Sequence, residues 1–356
     1  MKKLSLVLML AGLTGLFGSC AQQSSKNASA NPEATMAKKK AVWPVWPVWI
    51  DTDPSVTTEG DRAKEVDDGF ALIQAFNSPE LEIRGVTVVF GNAPFEQAWP
   101  IGQEIVRRFG PANLPIFPGA AKAEQLGEET EAVKAMAEAL KKEKLTILAL
   151  GPVTNVATLV KNHPELVANI EQIIAVAGRR PGQSFKSRPD QPRGFRDFNF
   201  ELDVQGFQAL LDSAVPIVLA PWEVSSHVWL REAELERLKN GTEATRWLYS
   251  AAAKWLKHWQ ANLQLDGFNP FDTLAIGYLT SPQMIQCEDL PAEIKTLPDD
   301  TQTSEDVKKS GKKPDKPYLL AGRELASKRR VKYCYQPAPE FKEDLMTRLL
   351  KSKTGS

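Results

Sequence analysis

Two short acidic clusters hold the residues best suited to chemistry in this sequence: Asp51-Thr52-Asp53-Pro54 and, after a polar stretch, Asp67-Asp68. Carboxylates gathered at one place repel one another and resist ionisation unless protons or a cation relieve the charge. An all-oxygen donor set suits a hard cation such as calcium or magnesium better than zinc. A plainer role is open to Asp67 or Asp68, which could cap a helix and favour its positive end. That accounts for one aspartate and leaves the others to be explained.

Both clusters lie at the boundaries of predicted elements. Residues 45–50 and 83–90 are apolar or β-branched runs, and residues 69–76 between them have the apolar spacing of a helix. The pattern continues with strand-like runs at 145–150, 172–177 and 215–220 and helical segments at 153–160 and 207–211. Such alternation predicts an α/β fold: an open, mostly parallel sheet with helices on both faces and ligands held beyond the carboxyl ends of the strands. The first acidic cluster then follows the first strand, and the second heads the next helix. Residues 43–356 read as one domain.

Taken with further landmarks, these residues resemble the nucleoside hydrolase family, in particular its inosine-uridine preferring members. That family opens with a strand, then Asp-x-Asp-Pro-Gly-x-Asp-Asp and a helix of small apolar residues. Here Asp51, Asp53, Pro54, Asp67, Asp68, Ala71 and Leu72 match it. The second strand runs into Gly91-Asn92, and Pro115-Ile116-Phe117-Pro118-Gly119-Ala120 resembles the next family landmark. Gly151-Pro152-Val153-Thr154-Asn155 looks like Gly-Pro-Leu-Thr-Asn, and Asp197-Phe198-Asn199 followed by Asp203 resembles Glu-Phe-Asn before a helix-starting aspartate. Phe271-Asp272-Thr273-Leu274-Ala275 matches His-Asp-x-x-Ala. The elements occur in family order between residues 48 and 282.

The resemblance implies a Rossmann-like core and hydrolysis of the N-glycosidic bond of ribonucleosides to base and ribose. It implies a calcium ion held by Asp53, Asp68, Asp272 and the backbone carbonyl of Leu150. Asp53 is then also the general base for the attacking water, whose acidity the cation raises. Asp67 and Asn199 are implied as partners of ribose hydroxyls, with Asn92 and Asp197 as further sugar contacts. Carboxylates and amides suit vicinal hydroxyls, which offer paired donors and acceptors. Negative charge near the sugar favours an oxocarbenium-like transition state.

The sequence also departs from the family pattern. Ser55 replaces a glycine, and residues 56–66 lengthen the path from Asp53 to Asp67, either as a lid or at the expense of the metal geometry. Phe271 stands where many members have a histidine, and Leu126 lies near where another is often found. Asp197 in place of glutamate shortens the reach toward the 5′ end of the sugar. The chain's histidines are His163, which reads as an exposed helix end, and His227 and His258, each weighed between a cavity role and a structural one. Trp222, Trp255, Trp259, Phe268 and Phe271 are candidates for stacking on a base or for plain packing. Without an evident acid for the departing base, two alternatives to nucleoside hydrolysis stay open. One is hydrolysis of another ribosyl glycoside; the other is a calcium-dependent binding protein for nucleoside or ribose-like ligands that has lost turnover.

The N-terminal segment has Lys2 and Lys3 ahead of an apolar run over residues 4–17 that ends in Gly18-Ser19-Cys20. The run is shorter than the ~20 residues of a bilayer-spanning helix and reads as a signal peptide over 1–20. Its end resembles a bacterial lipoprotein cleavage box, with an ordinary secretory signal as the alternative. Lipidation of Cys20 would leave residues 21–42 as a polar tether. The expected location is therefore exported, lipid-anchored to a bacterial membrane on its periplasmic or cell-surface side, with membrane contact through the lipid alone.

Cys287 and Cys334 allow one disulfide, which a chain of this length does not need, and are read as buried thiols. The Trp-Pro repeat at 43–49 is read as an entry arm or edge strand. The charged tract 299–316 is read as a flexible, solvated loop before a last strand at 331–335 and a helix at 340–350. With 44 basic and 44 acidic residues, the chain has no charge bias toward nucleic acid. A small-molecule nucleoside or ribosyl substrate is the expected partner, and homo-oligomerisation is left open.

Overall fold

The apolar runs assemble into the expected sheet. A computed structural model describes residues 44–56, 63–191, 193–312 and 314–351, so the expected signal peptide, Cys20 and the expected tether lie outside the described residues. The strands are β1 (Trp46–Thr52), β2 (Leu81–Val88), β3 (Ile116–Pro118), β4 (Leu145–Ala149), β5 (Ile170–Ala175), β6 (Ile217–Leu219), β7 (Leu230–Arg231), β8 (Gly267–Phe268), β9 (Ile285–Pro298), β10 (Asp315–Ala321) and β11 (Arg330–Pro337). Nine of them form one sheet in the order β10-β9-β11-β6-β5-β4-β1-β2-β3, and β7 pairs with β8. Every pairing from β3 through to β11 is parallel, whereas β9 runs antiparallel to both of its neighbours.

Successive side chains of β1 divide between the two faces, as the period of two requires. Val48 and Ile50 enter the core beneath the helix Asp67–Phe76, while Trp49 enters the core beneath the helix Thr154–Asn162. The helix that follows β1 and the helix that follows β4 thus cover opposite faces. Neighbouring strands whose helices leave in opposite directions open a crevice at their carboxyl ends. In this chain β1 and β4 are that pair.

The tryptophan-proline repeat is not an edge strand: its second half is β1 itself, an interior strand. The proline is tolerated because of register. Pro47 lies opposite Glu82 of β2, but pairing with β4 begins only at Val48. A residue without an N–H therefore sits where the strand has a single neighbour.

Cys287 and Cys334 are also corrected. They form a disulfide, on residues that face each other across the antiparallel β9–β11 pair. The spacing of 47 residues gave no sign of this, because the opposition depends on strand register. The 299–316 tract, expected to be a loop, contains the helix Ser304–Ser310, whose N-terminus carries reciprocal bonds between Thr303 and Asp306. Lys316, 12% exposed, reaches Glu201, Asp299 and Asp300, and Arg179 donates to Asp300 at 2.7 Å. The tract is held to the domain by charge-assisted bonds.

The disulfide closes a long loop, so its loss should lower unfolding free energy by about 2–4 kcal/mol. Denaturant unfolding of the double variant Cys287→Ser/Cys334→Ser beside the oxidised protein measures this. Equal midpoints would mean that the bridge contributes no stability.

Candidate active site

The crevice between β1 and β4 gathers the acidic residues. Asp53 follows β1 and is fully buried. It lies between Gly91 and Gly151: a Cβ at Gly91 would meet its Oδ2 at 1.9 Å, and one at Gly151 its Oδ1 at 2.6 Å. Both positions must therefore lack a side chain for the carboxylate to fit. The Asn92 N–H donates to Asp53 Oδ2 at 2.7 Å, and Asp53 Oδ1 has no hydrogen-bond partner among the described residues.

Asp67 and Asp68 occupy the first turn of the helix Asp67–Phe76, where the free N–H groups favour negative charge. The residue at the cap position is Val66, which makes no side-chain cap bond. Asp68 accepts from the Thr52 hydroxyl, from the Asp53 N–H at 3.1 Å and from the Asn92 amide at 3.3 Å. Asp272, just ahead of the helix Thr273–Thr280, completes the group. Carboxylate oxygens of Asp67, Asp68 and Asp272 lie within 4.8 Å of one another. Asp67 Oδ1 and Asp272 Oδ2 are buried without partners among the described residues.

Burial is the largest cause that holds Asp53, Asp67 and Asp272 well above the ordinary carboxylate range, and repulsion by neighbouring acids adds to it. Asp68 is raised as well, by burial, against the bonds it accepts from Thr52, Asp53 and Asn92. Buried, mutually repelling oxygens that lack donors are what a hard cation satisfies, so the residues fit an oxygen-coordinated metal. Asn199 and Leu150 also meet here, since the Asn199 amide donates to the Leu150 carbonyl at 2.6 Å and to that of Val176 at 3.1 Å. A carbonyl has two lone pairs, so this bond leaves Leu150 one acceptor site.

Asp51 does not join the group. Its Oδ1 accepts from Thr87 at 2.6 Å and from Asn155 at 2.9 Å. Asn155 in turn accepts from the Ala120 N–H at 2.8 Å. Asp51 thus ties the ends of three strands together, and burial pushes it up to about 7. A residue not singled out in the sequence, Glu65, brings another carboxylate to the cavity instead. Burial and the nearby Asp68 push it up to about 7. Its signal was an acid two residues ahead of Asp67-Asp68, inside a stretch treated only as an insertion. Ser55 has a role in the same place: its hydroxyl donates to the Glu65 carbonyl at 3.0 Å and joins the two ends of that insertion.

Above the carboxylates lies a cavity of about 370 Å³. Asp67, Asn92, Leu150, Asp197, Asn199, Phe271 and Asp272 line it, with Asp53 and Asp68 buried beyond its lining. Asp197 accepts from the Gly178 N–H at 2.8 Å. Burial pushes it up to about 6, against the lowering effect of Arg179. The far wall is aromatic. Trp222, Trp255 and Trp259 line it as the sequence suggested, whereas Phe268 is buried in the core against Phe70. Phe185 and Phe195 had not been singled out, because their loop carries no periodic pattern, and Phe198, quoted only within the Asp-Phe-Asn motif, opens the short helix Phe198–Leu202. His258 stands on the cavity wall and stacks on Trp255. His227 is exposed, His163 bonds to Glu129, and Leu126 packs against the core.

Comparison with known proteins gives the same picture. The sequence profile of the family described as inosine-uridine preferring nucleoside hydrolase matches residues 48–325. The pyrimidine-specific ribonucleoside hydrolase RihA of Klebsiella pneumoniae subsp. pneumoniae is 29% identical over 200 residues, which cover 49% of this chain and 62% of the relative. The match thus spans less than two thirds of that relative's length. The non-specific ribonucleoside hydrolase RihC of Klebsiella pneumoniae is 24% identical over 274 residues, 69% of this chain and 83% of the relative. Among solved structures, a plant nucleoside hydrolase superposes with a TM-score of 0.69 at 18% identity, over 87% of this chain and all of its own. The purine-preferring ribonucleoside hydrolase of Gardnerella vaginalis gives 0.64 at 20% identity, over 85% of this chain and 98% of its own. These structures share the fold. By the profile match over most of its described length, the chain belongs to the inosine-uridine preferring nucleoside hydrolase family.

Proposed function

We propose that the protein hydrolyses the N-glycosidic bond of ribonucleosides, with Asp53 as general base and calcium as its metal. The observation that carries this reading is the set of buried carboxylate oxygens of Asp53, Asp67 and Asp272, without partners among the described residues, at the base of a cavity of nucleoside size. Asp53, Asp68, Asp272 and the Leu150 carbonyl would hold the cation, which when bound makes water more acidic and offsets the charge of the cluster.

Asp53 is confined by Gly91 and Gly151 and oriented by the Asn92 N–H, so its free Oδ1 is fixed for taking a proton from the attacking water. Asp67 and Asn199 take ribose hydroxyls. Asn199 presents its carbonyl oxygen because its amide nitrogen is engaged by Leu150 and Val176. Asp197 holds the sugar farther along the cavity. Asn92, whose amide faces Asp68, contributes to the sugar site mainly by setting the carboxylates. Positive charge that develops on the ribosyl group is stabilised by the surrounding acids.

We propose further that the protein is exported and lipid-anchored through Cys20. The charged and apolar N-terminal sequence supports this, as does the Cys287–Cys334 bridge, a bond that persists in oxidising compartments.

Release of ribose from purine and pyrimidine nucleosides, with calcium and after chelation, tests the reaction. Chelation should abolish release, and Asp53→Ala should lower kcat by at least about 100-fold. Asp197→Ala should chiefly raise KM, by roughly tenfold. Calcium-dependent nucleoside binding without release would assign the protein to the binders instead.

Buried carboxylates set the pH dependence of stability, and the metal modifies it. With Asp51 raised to about 7 and Asp197 to about 6, the folded protein keeps protons that the unfolded chain has already released. The native state binds more protons in that window, so stability of the metal-free protein should fall as pH rises from about 4 to about 7. Calcium favours ionised ligands and opposes the trend. The rise in Tm on adding calcium should therefore be larger at pH 7.5 than at pH 5 in thermal unfolding. An equal rise at both would rule out proton-linked binding.

A further inference from the structure

The leaving-group end of the cavity has an unusual composition. Phe195, Trp222, Trp255, Trp259 and Phe271 form a connected set of rings, with Phe195 and Trp259 stacked at 5.7 Å and Trp259 6.4 Å from Phe271. The acidic floor carries Glu65, Asp67 and Asp272, with Asp197 at the side. Among the lining residues the one side chain with a permanent positive charge is Arg196, and it is tied to Glu201 at 2.9 Å. His258, the one imidazole there, is exposed, stacks flat on Trp255 at 5.0 Å and has its Nδ1 engaged by the Asn262 amide at 3.0 Å. Among the described residues no acid is buried in the aromatic wall.

This arrangement bears on which glycosidic bond can break. When water adds to C1′ of a neutral nucleoside, the C1′–N electron pair leaves with the base, which departs as an anion unless an acid protonates it. Here that anion would form between aromatic faces and carboxylates, both of which disfavour negative charge. A riboside whose base is a quaternary heteroaromatic cation behaves differently. The C1′–N pair neutralises the ring nitrogen, the base leaves uncharged, and the proton lost by water goes to Asp53 and then to solvent. No acid is needed. Before the bond breaks, the cation is attracted by the ring faces.

Resting on the ribosyl hydrolase reading, we propose that the preferred substrates are N-ribosides of cationic heteroaromatic bases, of the N-ribosylpyridinium type, and that the aromatic wall sets this preference. The probe is nicotinamide riboside, compared with uridine and inosine for ribose release by the calcium-loaded full-length protein. The expected kcat/KM for nicotinamide riboside exceeds that for either neutral nucleoside by at least about tenfold, the size of one desolvated cation–π contact. For the cationic substrate, activity should show no fall on the alkaline side between pH 7 and 9, since no acid has to stay protonated. Trp222→Leu and Trp255→Leu should each bring the cationic-to-neutral ratio toward one while uridine turnover changes less. Equal or faster turnover of uridine or inosine by the wild-type protein would overturn the preference and leave the hydrolase reading intact. No release from any of the three would overturn both. If a tryptophan variant fails to fold, the wild-type ratio and its pH profile decide.

Discussion

Mutual repulsion among carboxylates that are almost wholly buried is the constraint on which the site depends. Asp53, Asp67, Asp68 and Asp272 come from three separate stretches of chain and meet where solvent screens them little. The fold sustains this only by supplying positive potential from elsewhere. Part comes from the first turn of the helix that bears Asp67 and Asp68, and part from the N–H groups of Asp53 and Asn92 and the hydroxyl of Thr52. Among the described residues some of these oxygens have no donor, and their charge is left unbalanced by the protein. Stability and chemistry are therefore the same electrostatic problem here.

The sheet exists, in functional terms, to solve the geometry of that problem. Placing β1 beside β4, with their helices on opposite faces, brings the loop carrying Asp53 against the turn carrying Leu150 and Gly151. The two glycines then act as walls for Asp53, whose freedom is removed by backbone and not by further side chains. A group fixed in this way loses little entropy on reaching a defined position.

Much of this was legible in the sequence. Alternating runs gave the parallel core, because a buried central strand must be apolar along its length, and the strand ends gave Asp53, Asp67, Asp68 and Asp272. What escaped depended on register or on irregular backbone. The Cys287–Cys334 bridge needs the antiparallel pairing of β9 with β11, which no periodicity reveals. Asp51 looked like a member of the cluster because strand residues two apart share a face, but Thr87 and Asn155 from neighbouring elements claim it. Glu65 and Phe195 belong to loops, whose side chains are aimed by tertiary bonds and not by a repeat. The tract 299–316 was misjudged because its charges looked solvated, whereas Lys316 and Arg179 recruit them into ion pairs.

The bond from the Ser55 hydroxyl to the Glu65 carbonyl has an evolutionary consequence. It fastens the two ends of the insertion, and the buried Val56 and Val66 just inside them anchor it again. A segment clasped at its base can lengthen, shorten or change composition without moving the residues on either side. Each doubling of its length costs only about 0.6 kcal/mol in closure entropy. Such a site is open to variation in descendants of this chain: its composition can change while the acidic residues on either side are inherited unchanged.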